Sequence, residues 1–173
     1  MVTNLDDAYR LLRELGAPQR LIEHAALVSA AATQLLDESR VLGVTLDERV
    51  VEFGAVLHDA GKVQHPEELS HPGALHEQAG EVLLLANGVQ PEVARCCVSH
   101  GAWELRGASL EERTVALADK LWKGKREAEL ELLVVDEIAL RLGVSRWDVF
   151  EQLDSRFEAI AEGGRKRVQR SVV

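Results

Sequence analysis

Apolar residues recur at spacings of three and four along almost the whole chain. That period admits helices with one buried face and leaves little room for strands. "LDDAYRLLREL" puts Leu5, Ala8, Leu11, Leu12 and Leu15 on one face, with Gly16 as a stop and Pro18 close to the next start. "QRLIEHAALVSAAATQLLDESRVL" continues as a longer amphipathic helix that Gly43 closes. "TLDE" at 45–48 has the form of a capping box and opens a helix through "RVVEFGAVLHDAG", with Gly61 as its end. Residues 63–75 hold Pro66, Pro72 and Gly73 and form the longest loop-like stretch. Helix resumes over "LHEQAGEVLLLAN", then over "PEVARCCVSHGAW" with Pro91 in the first turn. "SLEE" at 109–112 is a second capping box before "RTVALADKLWKG". Two more helices are expected at about 126–142 and 146–162, the second capped by Ser145. No stretch alternates like a strand and no repeat is visible. The expectation is an all-α, single-domain helical bundle, and 173 residues suffice for its core.

Charge narrows the partners. The net charge is −9, and the C-terminal "GGRKRVQRSVV" has four basic residues and no acid, so the rest is more acidic still. That balance speaks against a nucleic-acid polymer as partner. The tail reads as a frayed end. No apolar run reaches the ~18–20 residues that span a bilayer, so no membrane role is expected. "MVTNLDDAYRLLREL" lacks a basic start followed by an apolar stretch, so the expected location is cytoplasmic. Cys96 and Cys97 are adjacent, too close for the usual disulfide geometry, and read as small buried residues on a helix.

The chemistry lies in the histidines. Six occur, and four stand in helical, largely apolar segments: His24 in "LIEHAAL", His58 in "AVLHDAG", His76 in "GALHEQAG" and His100 in "CCVSHGAW". Asp59 and Asp119, the latter in "VALADKLW", share that setting. Buried carboxylates need cations, and four imidazoles with two carboxylates suit divalent transition metals. One zinc or iron takes three or four protein ligands, so six ligands are enough for two ions sharing a carboxylate. Paired ions ~3.5–4 Å apart recur in phosphoester hydrolysis.

The ordered set His24, His58-Asp59, His76, His100, Asp119 resembles the HD-domain superfamily of metal-dependent phosphohydrolases, and within it the subset with two extra histidines and a two-metal centre. "LHDAGK" resembles the family signature, "HEQAGEVLL" its third-histidine helix and "ALADKLWKGKR" its last metal aspartate. The resemblance runs over about 20–126 and implies a bundle of the HD-domain type with its metal-binding core there; the expected helices at 127–162 and the basic tail at 163–173 lie outside it. It implies that His24, His58, Asp59 and Asp119 hold a first ion, that Asp59 bridges, and that His76 and His100 hold a second. One or two divalent ions per chain are expected, drawn from Fe, Mn, Zn, Co or Ni, with Mg less well suited.

The implied reaction is hydrolysis of a phosphate ester or anhydride, of a small nucleotide by analogy, through a metal-bound hydroxide. Asp59 and Lys62 carry the catalytic expectation, Lys62 lying near the phosphate. Lys62, Lys123, Arg20 and Trp103 are the expected substrate contacts. Arg20 is four residues before His24, Lys123 four after Asp119, and Trp103 three after His100. His65 and His71 are expected in the loop over the site, and Trp122 and Trp147 in the core or at helix contacts. Two rival readings use the same residues: a di-iron oxygenase of this fold, and a non-catalytic module with a structural metal. Residues 127–173 are expected to pack on the core or on a second copy of the chain.

Overall fold

The structure, a computed structural model, describes residues 2–170, without the side chains at 165 and 167–170. The basic side chains of Arg165, Arg167 and Arg170 therefore lie outside the described residues, as do residues 171–173. The described residues form helices α1 (Leu5–Glu14), α2 (Gln19–Leu42), α3 (Glu48–Leu57), α4 (Leu75–Ala86), α5 (Pro91–Ala94), α6 (Cys96–Ser99), α7 (Leu110–Leu121), α8 (Ala128–Leu142) and α9 (Arg146–Arg170), with 3-10 turns at Ala60–Val63 and Pro66–Leu69. No strand occurs among the described residues. The fold is an all-α, single-domain helical bundle, as the periodicity predicts. No helix of the described residues is long and apolar enough to cross a membrane.

Local chemistry sets most boundaries. Asn4 caps α1 through its side chain, and Ser109 with Glu112 forms a complete capping box on α7. The expected box at 45–48 is replaced by a nearer cap: Asp47 accepts from the Arg49 N–H, so α3 starts two residues later than Thr45 would place it. α3 also stops earlier. It ends at Leu57, the chain tightens into the 3-10 turn, and Gly61 lies inside that turn rather than at a helix end. The expected helix over 91–103 is two short pieces joined at Arg95. The loop at 63–75 contains the turn Pro66–Leu69. At the other end α9 runs to Arg170, well past the expected frayed start at 163.

Two apolar clusters flank the middle of the bundle. One joins α2, α3, α7, α8 and α9 through Val28, Leu36, Val51, Leu117, Leu130 and Phe157. The other joins α1, α2 and α3 to the α4–α5 region through Leu12, Leu21, Phe53 and Leu84. α2 and α3 feed both clusters, so they form the wall between them. Cys96 and Cys97 are free and buried, one in each cluster. α9 is pinned to α2 where Glu38, itself buried, accepts from Gln152 Nε2 at 2.5 Å and Arg156 Nε at 2.6 Å. Trp147, expected in the core or at a helix contact, is 72 % exposed in the first turn of α9, where its ring meets that of Phe150 on the same helix.

Candidate metal centre

Five elements bring the predicted set together. His24 stands on the second turn of α2, and His58 is the C-cap of α3 with Asp59 next to it. His76 is the second residue of α4, His100 caps the end of α6, and Asp119 lies in the last turn of α7. His58, Asp59, His76, His100 and Asp119 are buried, and His24 is nearly so. Among the described residues, two groups of side chains could each hold a metal ion: His24, His58 and Asp59, and Asp59, His76 and His100.

The carboxylate of Asp59 divides between them. Its Oδ2 is 3.1 Å from His24 Nε2 and 3.7 Å from His58 Nε2. Its Oδ1 is 3.1 Å from His76 Nε2 and 3.5 Å from His100 Nε2. Asp119 Oδ1 joins the first group, 3.4 Å from His24 Nε2 and 3.7 Å from His58 Nε2. Two donors each ~2.1 Å from one ion at 90–110° lie ~3.0–3.4 Å apart, which is the scale of these separations.

Hydrogen bonding on the far side of the rings explains what the near side lacks. His58 Nδ1 lies 3.0 Å from the Ala55 carbonyl and His100 Nδ1 3.1 Å from the Cys96 carbonyl. His76 Nδ1 lies 2.5 Å from Glu68 Oε2. Each partner is an acceptor, so each Nδ1 donates, and a neutral ring then turns a bare Nε2 lone pair inward. Those lone pairs face carboxylate oxygens, which carry lone pairs too. Asp59 Oδ1 and His76 Nε2 are in fact buried with no hydrogen-bond partner. Such an arrangement is costly alone and fits a cation between the donors.

The electrostatics agree. Burial pushes the His100 imidazole down to about 3, with the neighbouring His58 adding to the effect. Burial also lowers His24, against the opposing pull of Asp59. Burial alone would raise both aspartates. Positive charge and N–H donors on the facing side, which the imidazoles supply only when protonated there and a bound cation would otherwise supply, reverse that and hold Asp59 and Asp119 well below the usual carboxylate range, with Lys123 helping at Asp119. His76 differs: against burial, its contacts with Asp59 and Glu68 raise it. At His24 and His100 protons compete weakly for the donors, which beside firmly ionised carboxylates suits metal binding.

Cations and an indole surround the set. Lys62 Nζ is 2.6 Å from Asp59 Oδ2, and Lys123 Nζ is 2.9 Å from Asp119 Oδ2. Trp122 donates its Nε1–H to Asp119 Oδ1, three residues before it, at 3.3 Å and stands edge-on to His24 at 5.1 Å. Trp103, the expected substrate contact, is half-buried against the core cluster. Arg20 is exposed and leans on Ser70 Oγ at 3.3 Å. His65 and His71 bear on Glu67 and lie outside both donor groups. Arg126 turns away from the site, onto Glu131, Asp154 and Glu158. Glu68 is the residue that sequence reasoning missed. Its contact with His76 spans eight residues of irregular chain, where no periodicity marks a partner.

The fold and this cluster define an all-helical protein whose buried histidines and aspartates could hold divalent metal. Residues 21–122 match the family described as HD domain, and the chain belongs to that family. HD domains form a superfamily of metal-dependent phosphohydrolases, and all six clustered side chains lie within the match. No solved structure matches the chain.

Proposed function

We propose that this chain is a phosphohydrolase with a two-ion centre, acting on a phosphate ester or anhydride of a small nucleotide. His24, His58, Asp59 and Asp119 would hold one ion; Asp59, His76 and His100 would hold the other. One observation carries the reading: Asp59 Oδ1 and His76 Nε2 are buried, unpartnered and 3.1 Å apart, while the second oxygen of the same carboxylate faces His24. A bridging carboxylate between two donor groups is what a paired centre requires. Imidazole-rich donors favour Fe, Mn, Zn, Co or Ni over Mg. Bound ions would supply Lewis acidity toward phosphoryl oxygens and an acidified water.

The protein's own groups do the rest. Asp59 orients both donor groups through one carboxylate. The Lys62 ammonium, 2.6 Å from Asp59, places positive charge beside the position where phosphoryl charge develops. Lys123 holds a second cation beside Asp119, and Arg20 offers an exposed guanidinium one turn before His24. These charges focus attraction for an anion on a chain that is −9 overall. Trp103 remains the candidate for stacking on a base.

The test is phosphate release from a panel of nucleotides, cyclic dinucleotides and simple phosphomonoesters, with each metal in turn. Wild-type protein hydrolyses at least one substrate class, and Asp59→Ala abolishes it. Metal-loaded protein that hydrolyses nothing on the panel, or that consumes dioxygen with iron bound, overturns the reading.

A further inference from the structure

Glu68 makes three contacts with one carboxylate. Its Oε1 accepts from the Leu75 N–H at 3.1 Å, and its Oε2 accepts from the His76 N–H at 3.0 Å and from His76 Nδ1 at 2.5 Å. α4 has no side-chain cap of its own, because its N-cap residue is Ala74. Glu68 thus supplies from the preceding turn the cap that position 74 cannot give. Gly73 leaves the room: a Cβ there would overlap Glu68 Oε1. One carboxylate thereby fixes both the start of α4 and the orientation of a ring on it.

The two donor groups are unequal. The first can draw on four side chains, with Asp119 added to His24, His58 and Asp59, whereas the second has three. His58 and His100 rest their Nδ1 atoms on neutral carbonyls, but His76 rests on a carboxylate. A carboxylate behind an imidazole holds its tautomer and enriches the opposite nitrogen as a donor.

We propose that Glu68 is a positioning residue that sets the affinity of the second ion: it aims His76 Nε2 at Asp59 Oδ1 and compensates for the shorter donor set. The inference rests on the two-ion reading above. The test titrates chelator-stripped protein with Co(II) and follows the visible ligand-field absorption against a competing chelator, with circular dichroism as the fold control. Wild-type protein takes up two equivalents. In Glu68→Gln the second equivalent weakens by about 10–100-fold and its spectrum changes, while the first equivalent is unaffected. Gly73→Ala, which displaces the carboxylate without removing it, is the second variant and weakens the same equivalent.

A merely structural Glu68 would lower the melting temperature and leave both affinities alone. That result in both variants overturns the proposal, as does equal weakening of both equivalents. Wild-type protein that takes up a single equivalent refutes the two-ion reading itself, so the two failures are told apart.

Discussion

Gly61→Ala is a one-methyl test of how the site is assembled. The 3-10 turn that follows Asp59 packs directly on α4. A Cβ on Gly61 would lie 2.0 Å from the His76 carbonyl oxygen and 2.6 Å from the Gly80 nitrogen. Both obstacles are backbone, so no rotamer can relieve them. Ordinary contact begins at 3.4 Å, so the turn and α4 must part by ~1.4 Å. Taken along the line between Asp59 and His76, that opens their 3.1 Å separation to ~4.5 Å. One ion ~2.1 Å from each donor spans at most ~4.2 Å. The variant therefore loses the second ion while His24, His58, Asp59 and Asp119 keep the first. Overpacking of this kind costs about 1–3 kcal/mol, or about 2–12 °C in melting temperature for a chain of this size. Metal titration, thermal melting and phosphate release on one preparation give the answer. A Gly61→Ala protein that binds both equivalents with wild-type affinity would show that the turn and α4 do not set the Asp59–His76 separation.

Two further outcomes follow from the same geometry. Chelator-stripped protein should lose stability as pH falls from 6.5 toward 3: buried His100 titrates at about 3 when folded, so the unfolded chain takes its proton first, and unfolding is favoured. His24, also lowered, acts in the same direction, Asp59 and Asp119 add to it only once the pH falls below about 3.8, and His76, which is raised, opposes them. Urea midpoints at about pH 7 and about pH 5 check this, and an unchanged midpoint contradicts it. Arg126→Ala strips Glu131, Asp154 and Glu158 of their shared cation. It should lower stability by about 2 kcal/mol and the melting temperature by about 4–8 °C, with metal content unchanged; metal loss in a folded variant would contradict this.

The six clustered side chains were legible in sequence because each stands in an apolar helical setting, where a histidine or aspartate is conspicuous. Their sharing of one locus came from the order of the set and its resemblance to a family, since no local pattern encodes a distance between α2 and α7. What escaped is non-local. Gly61 reads as a helix stop, yet its place is set by contact with the backbone of α4. Glu68 hides in a stretch with no period, and its partners are defined only once the turn folds back on Leu75 and His76. Trp122 reads as core and is partly so, but its indole also meets Asp119 and His24. The break at Arg95 leaves no mark, because "PEVARCCVSHGAW" has good helical spacing throughout.

Metal content per chain shows whether Asp59 joins two ion-binding groups or serves one. Protein purified without a metal-affinity tag is analysed by mass spectrometry of its metals, as wild type and as His76→Ala and His100→Ala. Two ions are expected per wild-type chain and one in each variant, the remaining ion held by His24, His58, Asp59 and Asp119. One ion in the wild type, with the same count in both variants, would contradict it and reduce the site to a single centre.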